Sequence, residues 1–69
     1  MRLKNKIEEI RTKKGIKQDE LGKLLGVSRQ TISSLENGRY NPSILLAFKI
    51  ANLFEMPIEE IFMYEEEES

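Results

Sequence analysis

Between Ser28 and Gly38 only Ile32 and Leu35 are apolar; the rest is Arg29, Gln30, Thr31, Ser33, Ser34, Glu36 and Asn37. These side chains suit the edges of nucleic-acid bases. Arg29 offers two parallel donors that match guanine, and Gln30 both donates and accepts, as adenine requires. Thr31 carries a methyl to meet thymine and a hydroxyl for phosphate, while Ser33 and Ser34 are small enough to permit close approach. Upstream, Gln18 can hand a phosphate its side-chain amide beside the free backbone N–H groups of a helix start. Asn37, Gly38, Arg39 and Tyr40 follow as a phosphate clamp.

Catalysis needs other residues. The 69 residues contain no His and no Cys, which removes the commonest general base and metal ligand, together with thiolates and disulfides. The clustered acids, Glu59-Glu60 and residues 65–68, have no base or nucleophile beside them. Gly15, Gly22, Gly26 and Gly38 are spaced as helix punctuation and make no phosphate-binding loop. No enzyme, cofactor, metal site or small-molecule ligand is expected, and no large pocket in so thin a core. With no apolar run near ~18 residues and no signal-peptide core, a cytoplasmic, nucleoid-associated protein without membrane contact is expected.

Several elements must position these groups. Residues 5–14 place Ile7 and Ile10 three apart among charges, an amphipathic helix that Gly15 stops. A second helix spans 18–25, with Leu21, Leu24 and Leu25 apolar and Asp19 and Glu20 in its first turn. Within it, Gly22 costs roughly 1 kcal/mol of helix propensity. Lys17 is a weak residue at the N-cap. Gly26 allows the sharp turn, and Ser28 caps a third helix that Gly38 ends. Leu21, Val27, Ile32 and Leu35 form the wedge that sets the angle between helices two and three, so the third projects its N-terminal end into a major groove. Ser43 opens a fourth helix over 43–54, almost wholly apolar, and Pro57 starts a short turn over 58–61. Residues 2–4 and 62–64 alternate as short strands that can pair.

Charge is divided unevenly. The formal net charge is −1, but residues 1–39 hold ten Lys or Arg against five Asp or Glu, whereas 40–69 hold Lys49 against seven acids. This gives +5 and −6, a basic half suited to a polyanion and an acidic region held away from it. Ordinary solvated charge with an acidic tail over 65–69 is the plainer alternative.

Gln18 to Leu25, Val27 to Ser33, Leu35-Glu36-Asn37-Gly38-Arg39 and Asn41-Pro42-Ser43 resemble the phage-repressor and Cro-like helix-turn-helix family of DNA-binding regulators. The likeness covers residues 7–61. The flanks are similar to a compact dimeric subgroup typified by the cytolysin-operon repressor. It implies an all-α, five-helix domain over 1–69, with the helix-turn-helix at about 18–36 and short terminal strands in a small antiparallel sheet. It places Gln18 and Gln30 at DNA-facing positions, Arg29 and Ser34 at further base-reading positions, and Asn37 and Arg39 in a phosphate-contacting loop. It also implies an Arg11–Glu36 pair; the rival reading of Arg11 is a solvent-exposed charge worth little.

The expected function is sequence-specific transcriptional regulation, with repression a family-level expectation, on double-stranded palindromic DNA and as a homodimer. Leu45, Leu46, Leu53, Phe62 and Tyr64, with Leu3, are expected to be exposed in a lone subunit and covered in the pair. The alternative is a protein-interaction module, an antitoxin or adaptor, in which the apolar fourth helix meets a foreign protein.

Overall fold

The computed structural model describes residues 2–65. In chain order these form β1 (Arg2–Asn5), α1 (Ile7–Lys13), α2 (Gln18–Leu25), α3 (Arg29–Glu36), α4 (Ile44–Phe54), α5 (Ile58–Ile61) and β2 (Phe62–Glu65). The acidic tail expected over 65–69 continues past Glu65, outside the described residues.

Local chemistry accounts for most helix ends. Ser28 Oγ accepts the backbone N–H of Thr31, and Ser43 Oγ accepts that of Leu46, so each satisfies an otherwise orphaned donor. Lys17 has no side-chain acceptor to give α2, and Glu20 reaches back to accept the Lys17 backbone N–H instead, at 3.2 Å. Gly15, Gly26 and Gly38 have φ of 72°, 77° and 73°, the left-handed values that terminate α1, α2 and α3. The first helix starts two residues later than expected, because Asn5 ends β1 and its Oδ1 accepts the Ile7 N–H.

The two strands pair antiparallel, Leu3 opposite Tyr64 and Asn5 opposite Phe62. The Lys6 N–H donates to the Ile61 carbonyl at 2.8 Å and carries that ladder into the helices. Beneath the sheet lies one hydrophobic core, to which every helix contributes: Ile7 and Ile10, Leu21 and Leu25, Ile32 and Leu35, Leu46, Ile50 and Phe54, and Ile61, closed by Phe62.

Two residues expected to be exposed in a lone subunit are inside it. Leu46 and Phe62 are each 7% exposed. Leu46 heads the stripe Leu46–Ile50–Phe54, one side chain per helical turn, which is the side of α4 that meets the core. Phe62 follows Ile61 without a break and stays over the same core. Leu53 is half-buried against the core. The outward side of α4 carries Ile44, Leu45 and Phe48, at 76%, 64% and 53% exposure. Tyr64 is exposed on β2. Among the described residues no helix is long and apolar enough to cross a membrane.

At the end of α4, Glu55 has φ 55° and ψ 44°, the only left-handed non-glycine among the described residues. That conformation costs an L-residue about 1–2 kcal/mol, part of which glycine would return through its freer unfolded chain. Glu55→Gly should therefore stabilise the fold by about 0.5–1 kcal/mol, read as a higher urea midpoint at fixed protein concentration.

Candidate nucleic-acid interface

The polar stretch is helical from Arg29 to Glu36. At 3.6 residues per turn, Ile32 and Leu35 share one side of α3 and are fully buried, while Arg29, Gln30, Ser33, Ser34 and Asn37 lie on the other. Arg29 and Gln30 are exposed, and Thr31, Ser33 and Ser34 half-buried.

The angle of α3 is set by backbone contact. The Val27 N–H donates to the Gly22 carbonyl at 2.8 Å. A Cβ at Gly22 would sit 2.7 Å from the Val27 oxygen and 3.3 Å from the Ser28 carbonyl carbon. Loss of helix propensity at Gly22 is thus the counterpart of a close approach: without a side chain, α2 rests directly on the turn that launches α3.

Glu36, at the other end of α3, has its charge enclosed. Arg11 Nε donates to Glu36 Oε2 at 2.7 Å, and Arg11 Nη2 lies 3.5 Å from Oε1. Gln18 Nε2 donates to Oε1 at 2.9 Å. The two charged side chains are 12% and 4% exposed, so this is an interior pair. Arg11 is anchored further by donation from Nη1 to the Ile16 carbonyl at 2.8 Å. The carboxylate at the end of α3 is thereby paired and withdrawn from solvent.

Asn5 is a second brace, and nothing in its sequence position indicates it. Its Nδ2 donates to the Leu35 carbonyl at 2.7 Å, across 30 residues, while its Oδ1 serves α1. The C-terminal turn of α3 is thus tied to the sheet.

These supports leave a continuous shallow surface. One depression is lined by Gln18, Ser28, Arg29, Gln30 and Ser33, and a second by Ser28, Gln30, Thr31, Ser34 and Tyr40. They share Ser28 and Gln30. Gln18 therefore reaches the same surface as α3, with one amide proton on Glu36 and the other left to give. Asn37 and Arg39 are exposed just beyond α3 and line neither depression. Thr31 Oγ1 lies 2.9 Å from Ser28 Oγ, so its hydroxyl has a partner within the protein. A larger open groove, floored by Ile10, Met56 and Met63, shares none of these residues.

Comparisons with known proteins agree with this arrangement. A helix-turn-helix family model, HTH_3, matches residues 7–61. An HTH-type transcriptional regulator of Methanocaldococcus jannaschii is 52% identical over 96% of this chain and its own whole length. The Bacillus subtilis HTH-type regulator YgzD is 48% identical over 94% of this chain and 98% of its own. Among solved structures, the restriction-modification controller protein C.AhdI from Aeromonas hydrophila superposes with a TM-score of 0.72 at 31% identity, covering 80% of each chain.

Removing one partner from an interior ion pair strands the other charge. Arg11→Met should destabilise the fold by about 3 kcal/mol, whereas the double variant Arg11→Met/Glu36→Leu should lose less than that single change. Urea titrations of the singles and the double, at one protein concentration, measure the coupling.

Proposed function

The chain belongs to the HTH_3 family of Cro-like helix-turn-helix transcriptional regulators, and on that premise we propose that it is a repressor that binds a palindromic operator as a homodimer. The carrying observation is the outward side of α3, polar along its length while its opposite side is fully buried. In this reading α3 enters the major groove, where Arg29 pairs with guanine, Gln30 with adenine, and Ser33 and Ser34 allow close approach. Gln18, Ser28, Asn37 and Arg39 hold the flanking phosphates.

Pairing of two subunits is supported by α4. Ile44, Leu45 and Phe48 make an exposed apolar surface on a helix whose other side is already committed to the core. A second copy covering it would present two α3 helices about 34 Å apart, one turn of DNA, and would bind as a bivalent unit. The same surface suits a foreign protein in an antitoxin or adaptor. Solution mass separates the two: a dimer without added partner supports the regulator, and a monomer supports the module. Repression, by occupation of a promoter, is the family-level expectation.

The test begins with the duplex recovered from random-sequence DNA by the full chain. Its affinity should fall by about 10³-fold or more between 50 and 200 mM salt if six or more phosphates are contacted. Arg29→Ala/Gln30→Ala should weaken binding by about 10–100-fold per half-site and relax the preference at the bases these residues read. Unaltered preference in that double variant removes α3 from base reading. Leu45→Glu/Phe48→Glu should yield a folded monomer with far weaker operator binding, measured by sedimentation and fluorescence anisotropy; Leu46→Glu should instead unfold the subunit, since Leu46 is core.

A further inference from the structure

We propose that Tyr40 reads a base: its ring and the Thr31 methyl form a cup for the C5-methyl group of a thymine in the operator. This rests on α3 being the groove-entering helix. It changes the role of Tyr40, which by sequence position alone belongs with the phosphate clamp.

The second depression on the α3 surface is walled by Ser28, Gln30, Thr31, Ser34 and Tyr40. Part of the polar capacity of that wall, at Ser28 and Thr31, is used within the protein. Ser28 Oγ accepts the Thr31 backbone N–H at 3.0 Å, and the Ser28 and Thr31 hydroxyls bond each other at 2.9 Å. Thr31 thus brings to the wall a methyl beside a hydroxyl that already has a partner in Ser28. Tyr40 is 44% exposed and brings the one aromatic ring among the five. The exposed ring of Tyr40 is carbon surface that a phosphate contact through its hydroxyl would leave unused. The thymine methyl is the apolar group that a T·A pair displays in the major groove.

Gln30 selects which thymine. It lines the same cup and is the side chain suited to bidentate bonding with adenine. Once Gln30 lies against an adenine edge, the methyl of the paired thymine or of an adjacent one is the apolar feature within reach of the cup. Tyr40 lies beyond α3, after the left-handed Gly38 that turns the chain back (φ 73°), so it forms a wall that α3 cannot supply by itself.

Replacement of thymine by deoxyuridine removes only the methyl. The probe is the duplex recovered from random-sequence DNA, with each symmetric pair of thymines replaced in turn, and the proteins are the full chain, Tyr40→Ala and Tyr40→Phe. For the unaltered chain, one thymine position in each half-site should lose about fourfold in affinity per half-site on demethylation, the worth of one buried methyl. Tyr40→Ala should bind the thymine and deoxyuridine duplexes equally well at that position, and Tyr40→Phe should still distinguish them. The proposal is overturned if Tyr40→Ala weakens both duplexes by the same factor and keeps the methyl preference, the signature of a phosphate contact. Indifference of the unaltered chain to demethylation at every position overturns it as well. Failure of the underlying reading looks different: no preferred duplex is recovered, or Arg29→Ala/Gln30→Ala keeps the same preference.

Discussion

The carboxylate of Glu36 is the junction on which the polar face depends. It stands at the end of α3, almost out of solvent, and is held by Arg11 from α1 and Gln18 from α2. A buried carboxylate is tolerated only when its lone pairs are filled and its charge is matched. Both conditions are met by side chains that must come from two other helices. The pair therefore constrains orientation more than it adds stability: α3 cannot rotate or slide without stranding a charge. It also removes a negative group from the side of the molecule where Arg29 and Arg39 are exposed.

Around this junction the fold separates holding from presenting. Apolar contacts come from every helix but only from inward stripes, and hydrogen bonds from Asn5, Ser28 and Gly22 fix where α3 begins and ends. Polar groups that serve as braces are used up inside. Those on the outward side of α3 are left for another molecule. Thr31 stands at the boundary, its hydroxyl bonded to the Ser28 cap while the residue also lines the surface depression.

What could be read from the chain alone was whatever depends on neighbours in sequence. The span of α2, the caps at Ser28 and Ser43 and the stops at Gly15, Gly26 and Gly38 follow from residue type within a few positions. The strands were visible as alternation, and the side of α3 as the spacing of Ile32 and Leu35. Burial on α4 was not visible. Where nearly every residue is apolar, periodicity cannot say which stripe faces inward, so the inward Leu46 and the outward Phe48 look alike in sequence. The burial of Phe62 is equally illegible in sequence, because the depth of a strand end depends on what lies under it. Contacts such as Asn5 with Leu35, and Glu55 in a left-handed turn, leave no mark in composition or spacing. The Arg11–Glu36 pair was suggested by family resemblance, since 25 residues of separation carry no local signal.

The bare backbone at Gly22 has an evolutionary corollary. Because the pitch of α3 is set where main chain touches main chain, it is insulated from the identity of the side chains that α3 displays. Exchanges at Arg29, Gln30 or Ser34 leave that backbone contact untouched. A side chain at Gly22 would instead push α2 away from the turn before α3 and displace all the residues of α3 together, so architecture and surface chemistry can vary separately.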